Sequence, residues 1–193
     1  MLETEINPND LKWHSEIEAA QIVSNPNVIN WNDEADLVVI GLGGAGIAAA
    51  NEALDQGYSV IGIDKTSGGG ATARSGGIFY AGGGTPIQKE AGVEDSVENM
   101  FNYLIQETGD IVKDSTLKKF CETSAENTQW LMDNGVQFNS QYYQTKTSYP
   151  GAGYFLYHSD NSLVPSYMEK ASPAPRGHRG YEEGPFKPIG VGG

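Results

Sequence analysis

The sequence predicts an α/β fold with a parallel sheet, and three observations predict it. An apolar run from Leu37 to Ile40 is continuous rather than alternating, which is typical of a parallel strand covered on both faces. A glycine-rich turn then leads into a run of good helix formers that closes at Gly57, a residue type that favours helix ends. A second strand is predicted from Tyr58 to Asp64. Strand, glycine turn, helix and strand in this order form the first unit of a Rossmann-type fold.

Two packing helices are predicted further along the chain. The first covers residues 95–109, begins with a capping box from Asp95 to Glu98, and carries its apolar residues on one face. The second covers residues 115–135 and is capped by Asp114. Beyond it the sequence is aromatic and then rich in Pro and Gly, so no regular structure is predicted there.

Composition excludes several classes of partner. The formal net charge is -13 and no run of Lys or Arg interrupts it, so the chain repels nucleic acid and anionic membrane surfaces. The acidic start lacks the apolar core of a signal peptide, and no apolar run reaches the length of a membrane span. We therefore expect a cytoplasmic protein. The single cysteine, Cys121, is expected to be a small buried side chain, and no residue cluster has metal-ligand spacing, so no metal is expected.

A phosphate-binding turn is predicted between the first strand and the first helix, at Gly41-Leu42-Gly43-Gly44-Ala45-Gly46. Gly41 permits the tight turn, Gly43 lets a pyrophosphate approach the backbone, and Gly46 lets the helix pack closely on the strand. Amides at the helix start, with the positive end of the helix dipole, would receive the diphosphate. Asp64 ends the second strand, where a carboxylate accepts hydrogen bonds from ribose hydroxyls and repels a 2′-phosphate. FAD or NAD fits this pattern, and NADP does not.

The segment after the second strand decides between these two cofactors. An NAD-binding fold usually continues into another helix within a few residues. Here the apolar residues of segment 65–94 show neither helical nor strand spacing, and the segment is too long for an ordinary connector. It includes a second glycine cluster at residues 68–77. This cluster is interpreted as a second backbone cradle, which favours FAD.

At this point the chain resembles a known family. The stretches ADLVVIGLGGAGIAAA and IDKTSGGGATARSGGIFYAGGGTPIQ are similar to the FAD-binding region of the fumarate reductase and 3-ketosteroid dehydrogenase flavoprotein superfamily. YAGGGTPIQ, WLMDNGVQF and SPAPRGHR follow in the order found in its 3-ketosteroid Δ4-dehydrogenase branch. The resemblance covers residues 35 to about 190 and implies a glutathione-reductase-like FAD-binding fold.

The resemblance also implies a set of cofactor contacts. The first turn and Asp64 would meet the pyrophosphate and the ribose, and the second cradle would line the ribityl and isoalloxazine side. Some family members attach FAD through a His in this second cradle; residues 65–85 contain none, so FAD is expected to be held non-covalently. The residues expected to bind it are Gly41, Gly43, Gly44, Ala45, Gly46, Asp64, Lys65, Gly70, Ala71, Thr72, Ser75, Gly76 and Gly77.

The family reaction implied is hydride transfer between a substrate C–H next to a ketone and flavin N5, with a small-molecule substrate, a steroid being the candidate, and an external electron acceptor. Catalytic residues are not assigned. Side chains that could still touch substrate are Tyr80, Tyr142, Tyr143, Tyr149, Tyr154, Tyr157, Arg176 and His178. Against this, a tyrosine is more often a core or rim residue, and Arg176 is expected to pair structurally with Glu182 or Glu183. His14 and His158 are expected to be solvated.

Two alternatives stay open. One is a fumarate-reductase-like enzyme that reduces an unsaturated carboxylate, and the other is a non-catalytic or truncated nucleotide-binding product. The chain is expected to consist of a polar arm, residues 1–34, and an incomplete FAD-binding domain, residues 35–193, that is the N-terminal part of a longer fold. By itself this chain is expected to be inactive.

Overall fold

A computed structural model describes residues 22–180 of the chain. His14, Glu182 and Glu183 lie outside the described residues. Of the predicted arm only residues 22–34 are described, and they contain one short 3-10 helix, Pro26–Val28.

The predicted strand-turn-helix-strand unit is present. Strand β1, Leu37–Ile40, pairs in parallel with β2, Val60–Ile63, and helix α1, Gly44–Asp55, connects them. Gly57 follows the helix with a φ of +85°, a backbone conformation that favours glycine. The second strand is shorter than predicted at both ends, because the chain leaves the ladder at Asp64 to form side-chain hydrogen bonds.

The expectation that the first strand is covered on both faces is wrong for the described residues. Val39 faces α1 and is 8% exposed, whereas its neighbours Val38 and Ile40 are 49% and 83% exposed. Successive side chains on a strand point to opposite faces, and α1 covers one of them. Within residues 22–180 no element covers the other, so an apolar sheet face is left open to solvent.

A second sheet has four strands, which the sequence did not predict. They are β3, Ile78–Tyr80, β4, Tyr142–Lys146, β5, Leu156–His158, and β6, Gly177–Arg179. Three of them have only three residues, which is too short to show a period, and β4 has five. Their spatial order is β3-β6-β5-β4. The β3–β6 and β5–β6 pairs are antiparallel, and the β4–β5 pair is parallel. This sheet brings the segment after the glycine cluster beside the SPAPRGHR motif.

The remaining helices are α2, Pro86–Glu90, α3, Val97–Thr108, α4, Asp114–Asp133, and α5, Pro165–Met168. Short 3-10 turns occur at Thr72–Arg74 and Gly109–Ile111. Helices α3 and α4 pack together as predicted, and their buried core consists of Met100, Tyr103, Leu104, Leu117, Cys121 and Ala171. The burial of Cys121 raises its pKa to about 11 and confirms it as a core side chain.

The predicted starts of both long helices need correction. Helix α3 is capped by Ser96, whose side chain accepts a hydrogen bond from the Asn99 N–H at 3.0 Å, and not by Asp95. Asp95 is instead turned toward a buried arginine. Asp114 is the first residue of α4 rather than its cap; the N-cap position is held by Lys113, which makes no side-chain cap hydrogen bond.

Candidate functional site

The glycine turn after β1 has the geometry that its predicted role requires. Gly41 has a φ of +91°, and its N–H donates to the Ile63 carbonyl at 2.7 Å, which ties the turn to β2. A methyl group on Gly46 would lie 2.0 Å from the Gly41 carbonyl oxygen, so only glycine allows α1 to pack this closely. A methyl group on Gly43 would meet nothing within 4 Å. The turn is thus crowded on its inner side and open where a ligand would approach.

Asp64 is fixed at the end of β2 by hydrogen bonds to both of its carboxylate oxygens. Oδ2 accepts from the Leu42 N–H at 2.8 Å, and Oδ1 accepts from the Thr66 N–H and hydroxyl, each at 2.8 Å. These bonds, led by the one from Leu42, lower the pKa of Asp64, and the charge of Lys65 contributes in the same direction. Asp64 is therefore a carboxylate held beside the glycine turn. Oδ2, which accepts one hydrogen bond, has a lone pair left for a further donor.

The second glycine cluster folds onto the first turn. The Gly69 N–H donates to the Leu42 carbonyl at 2.7 Å, and the Thr72 hydroxyl accepts from the Gly44 N–H at 3.1 Å. A methyl group on Gly70 would lie 3.3 Å from the Gly43 Cα. The predicted second cradle thus lies directly against the predicted phosphate turn.

A cleft of about 490 Å³ opens between these two segments and the end of α4. Its lining combines four glycines, Thr72 and Ser75 from the two glycine segments with apolar side chains that include Trp130 and Leu131. A smaller cavity of about 210 Å³ shares Thr72, Ser75, Gly77 and Leu131 with it. The residues that line the larger cleft are Leu42, Gly43, Gly44, Ile47, Ala48, Gly69, Thr72, Ala73, Ser75, Gly77, Trp130 and Leu131.

The structure brings many of the predicted cofactor residues together and adds others. Gly43, Gly44, Thr72, Ser75 and Gly77 line the cleft, and Gly41, Ala45, Gly46, Asp64, Lys65, Gly70, Ala71 and Gly76 belong to the segments that form it. Sequence reasoning missed the apolar wall from Trp130 and Leu131, although WLMDNGVQF was recognised as a motif. Their position near the end of a helix gave no signal of which face meets the cleft.

The tyrosines proposed for substrate contact lie in different places. Tyr142, Tyr143 and Tyr154 line a cavity of about 370 Å³ that is separate from the cleft, and the rings of Tyr143 and Tyr154 pack at 5.1 Å. The Tyr80 hydroxyl donates to Asp160 at 2.8 Å, and burial raises its pKa. Tyr157 is buried, its hydroxyl donates to the Ser148 carbonyl at 3.3 Å, and burial raises its pKa to about 12. At neutral pH the Tyr80 and Tyr157 hydroxyls are protonated.

Arg176 forms a buried ion pair, but with a different partner from the one expected. Its Nε and Nη2 donate to the two oxygens of Asp95, each at 2.9 Å, and both side chains are 0% exposed. Burial by itself would raise the pKa of Asp95, but Arg176 outweighs it and holds that pKa below its usual value. Arg176 also lies 3.8 Å from Asp160. The expected partners Glu182 and Glu183 are outside the described residues, and Arg176 is already neutralised without them.

The YAGGGTPIQ motif surrounds this ion pair. The Gly83 N–H donates to Asp95 at 3.0 Å, and Gln88 donates from its side chain to the Pro175 carbonyl at 2.9 Å. Thr85 and Gln88 form a reciprocal capping box at the start of α2. A methyl group on Gly82 would lie 2.6 Å from Asp95. The motif therefore encloses a buried polar network, and its capping box is a sequence signal that predicts α2.

Both described histidines are buried. Burial lowers the pKa of His178 to about 4, and its Nδ1 lies 3.1 Å from the Arg176 carbonyl while Nε2 lies 2.9 Å from the Thr85 hydroxyl. A carbonyl only accepts, so Nδ1 carries the proton in a neutral ring. His158 is 3% exposed and lies 2.7 Å from the Tyr142 hydroxyl, so the expectation that it is solvated is wrong. Its hydrogen-bond partners, Tyr142 and Ser162, explain how a polar ring is accommodated there.

Two further features of residues 22–180 concern metal ions and membranes. No group of three or more His, Cys, Asp or Glu side chains in this part of the chain could hold a metal ion. Among the described helices, none is both long and apolar enough to cross a membrane.

Comparison with known proteins places the cleft in context. A family described as "FAD binding domain" matches residues 36–179. The chain belongs to this family. FAD is its cofactor, and the residues present fit it: the turn is open over Gly43, the second cradle supplies hydroxyls, and the cleft has an apolar wall for a ring.

Among individual relatives, the chain is 42% identical over 160 residues to 3-oxo-5-alpha-steroid 4-dehydrogenase from Comamonas testosteroni, covering 81% of this chain and 30% of that protein. It also matches the crystal structure of 3-ketosteroid-Δ4-(5α)-dehydrogenase from Rhodococcus jostii RHA1 in complex with 4-androstene-3,17-dione. The TM-score is 0.76 and the identity 40%, with 81% of this chain and 33% of that chain covered.

A flavocytochrome c3 fumarate reductase in its open conformation is more distant, with a TM-score of 0.50 and 28% identity over 54% of this chain and 19% of that chain. The chain thus spans about a third or less of the length of these relatives. The predicted α/β fold of the FAD-binding flavoprotein type is confirmed, in its N-terminal part.

Proposed function

We propose that the protein is an FAD-dependent oxidoreductase that removes hydrogen from a carbon next to a ketone in a 3-ketosteroid-like substrate. One observation carries the proposal: two interlocked glycine segments and Asp64 border a cleft with an apolar wall, in a chain 42% identical over 160 residues to a 3-oxo-5-alpha-steroid 4-dehydrogenase. An external acceptor would take the electrons, and the cytoplasm is the proposed location.

The glycine turn at residues 41–46 would hold the diphosphate. The backbone amides at the start of α1 have no carbonyl of their own helix to bind, and they lie at the positive end of the helix dipole. We assign this role to Gly41, Gly43, Gly44, Ala45 and Gly46. Gly41 and Gly44 would act by shaping the turn, since their N–H groups donate to the Ile63 carbonyl and the Thr72 hydroxyl. In this arrangement Asp64 would accept ribose hydroxyl hydrogen bonds while it keeps its bond from Leu42.

The second cradle and α4 would hold the ring system. Thr72 and Ser75 supply short hydroxyls, Trp130 and Leu131 supply an apolar wall, and Gly77 lets the backbone come close. When bound, FAD supplies an acceptor for a hydride equivalent from a substrate C–H. The remaining residues assigned to this side are Lys65, Gly70, Ala71 and Gly76.

We assign no general-base role to Tyr80, Tyr142 and Tyr157. They use their hydroxyls in internal hydrogen bonds, and each has a raised pKa because of burial. A general base must be deprotonated near the working pH, and a tyrosine with a raised pKa does not meet this condition.

A fumarate-reductase-like reaction is the second candidate, supported by the 28% identity to a flavocytochrome c3 fumarate reductase. It needs cationic groups that clamp two carboxylates. Of the three groups available in SPAPRGHR, Arg176 is already neutralised by Asp95, and His178 is neutral at physiological pH. Only Arg179 remains, so the described residues favour the ketosteroid reaction.

Anaerobic half-reactions separate these functions. The protein is produced from its complete reading frame, loaded with FAD, and mixed with a saturated 3-ketosteroid while the visible flavin absorbance is followed. Loss of absorbance is expected. A parallel sample, reduced chemically, is mixed with fumarate. If fumarate reoxidises the reduced flavin and the steroid does not bleach the oxidised flavin, the second candidate is supported. If the flavin responds to neither compound, the protein is a non-catalytic nucleotide-binding protein.

A further inference from the structure

The SPAPRGHR motif contains two buried arginines with opposite electrostatic surroundings. Arg176 is neutralised by Asp95 at 2.9 Å and approached by Asp160 at 3.8 Å. Arg179 is 7% exposed, and in residues 22–180 no carboxylate oxygen lies within 4.0 Å of it. Its Nε is buried without a hydrogen-bond partner, and its Nη1 makes only two long contacts, 3.4 Å each, with the carbonyls of Pro150 and Gly151.

A buried cation without a counter-charge is costly, because it loses its hydration and gains no ion pair in return. Two aromatic rings offset part of this cost, with the guanidinium carbon of Arg179 at 4.7 Å from the Tyr149 ring centre and 5.7 Å from that of Phe155. These contacts use the face of the guanidinium and leave the Nε–H unsatisfied. Such an arrangement is typical of a functional cation whose counter-charge arrives with a ligand.

The position of Arg179 identifies that ligand site. Arg179 pairs with Ile78 across the β3–β6 ladder, and the next residue donates its N–H to the Gly77 carbonyl at 3.3 Å. A methyl group on Gly76 would lie 3.5 Å from the Tyr149 ring that contacts the guanidinium. Arg179 therefore adjoins, through its backbone and through the Tyr149 ring, the part of the second cradle that we assign to the flavin ring.

We propose that Arg179 is the positive charge that stabilises the flavin ring after it accepts electrons. This inference rests on the proposed function. A hydride, which is two electrons with one proton, leaves one substrate C–H for the ring, and the neighbouring substrate carbon gives up a proton to solvent. A C=C bond forms, the substrate is oxidised, and the reduced ring gains one negative charge. A fixed cation favours the reduced ring over the neutral oxidised ring and raises the midpoint potential of the bound flavin.

The test compares four variants of the FAD-loaded protein made from its complete reading frame. Arg179→Met removes the charge, Arg179→Gln removes it but keeps N–H donors for the Pro150 and Gly151 carbonyls, and Arg179→Lys keeps the charge. Lys118→Met is the matched control, since it removes one positive charge from an exposed side chain. Flavin content and midpoint potential are measured for each by equilibration with redox dyes.

The Met and Gln variants are expected to bind reduced flavin about tenfold more weakly relative to oxidised flavin, a shift of about 30 mV to more negative potential. The Lys variant and the control should stay near the wild-type potential. Flavin-loaded Met or Gln variants with the wild-type potential would overturn the proposal, and the Gln variant serves if the Met variant does not fold. A wild-type protein that binds no flavin would instead contradict the proposed function.

A second source of counter-charge is tested in the same series. Glu182 and Glu183 follow Arg179 closely in the chain and lie outside the described residues. The double variant Glu182→Gln, Glu183→Gln is expected to leave protein stability and the effect of Arg179→Met on the potential unchanged. If the double variant is destabilised and Arg179→Met has no effect on the potential, the counter-charge belongs to these glutamates and the proposal is wrong.

Discussion

The Asp64 carboxylate accepts a hydrogen bond from the backbone N–H of Leu42 at 2.8 Å, which joins the end of β2 to the glycine turn. Replacing Asp64 with Ala removes this bond and the proposed ribose contact together. We expect about tenfold or greater weakening of both FAD and ADP binding, because hydrogen bonds to a charged group are lost. Fluorescence titration measures the affinities for FAD and ADP, and Asp110→Ala, at an exposed residue, is the control. Equal affinities in the two variants would show that Asp64 does not hold the ribose.

Gly43 and Gly46 provide a matched pair of substitutions. Gly46→Ala places a methyl group 2.0 Å from the Gly41 carbonyl, so it should destabilise the fold by about 3 kcal/mol or more. Gly43→Ala meets no atom of the unloaded chain within 4 Å, so it should unfold like the wild type but lose FAD, since the methyl group occupies the approach to the turn. Denaturant unfolding of the apoprotein and FAD titration separate the two effects. Tight FAD binding by Gly43→Ala would mean that the diphosphate lies elsewhere.

Asp95→Asn removes the hydrogen-bonded counter-charge of the buried Arg176 guanidinium and leaves only Asp160, at 3.8 Å, among the described carboxylates. The expected loss of unfolding free energy at pH 7 is about 3–5 kcal/mol. The pKa of Asp95 is depressed in the folded protein, so its stabilising effect is present above the ordinary value of 3.8 and is lost as the pH falls below it. The difference in unfolding free energy between wild type and Asp95→Asn should therefore become smaller as the pH falls. A difference that stays constant down to pH values below 3.8 would contradict the ion pair.

His178→Gln tests the buried neutral histidine. In the folded chain the pKa of His178 is about 4, against 6.5 for an ordinary histidine, so the unfolded state takes up the proton first as the pH falls. This favours unfolding between pH 6.5 and 4 by up to about 3 kcal/mol, and above pH 6.5 the effect is absent. His178→Gln should flatten the stability profile in that window. Parallel profiles of wild type and variant across it would show that His178 is accessible to protons.

The sequence predicted the parts of the fold that follow local rules. A continuous apolar strand, a glycine turn and an amphipathic helix each carry their own pattern. β1, α1, α3 and α4 were found where expected, apart from the caps of α3 and α4. The three-residue strands β3, β5 and β6 have no such pattern, because their pairing is decided by contacts between residues about 20 to about 100 positions apart. For the same reason the sequence could not predict that Asp95, and not a nearby glutamate, neutralises Arg176.

In the candidate site, too, some features follow from local sequence patterns and others depend on tertiary contacts. The cofactor contacts proposed for the two glycine segments depend on backbone, which a motif specifies well. The wall formed by Trp130 and Leu131 depends on how α4 packs, and no local signal reports that. The pairing of Arg179 with Ile78 is likewise a tertiary result, although the arginine itself was visible in the motif.

In the proposed function, the two interlocked glycine segments hold FAD without a covalent bond. Acid precipitation of the protein purified from its complete reading frame, followed by identification of the released nucleotide, tests this attachment. One FAD per chain is expected in the supernatant with a colourless pellet, because residues 65–85 contain no histidine for attachment. A yellow pellet, or a flavin-free protein that binds NAD in place of FAD, would contradict it.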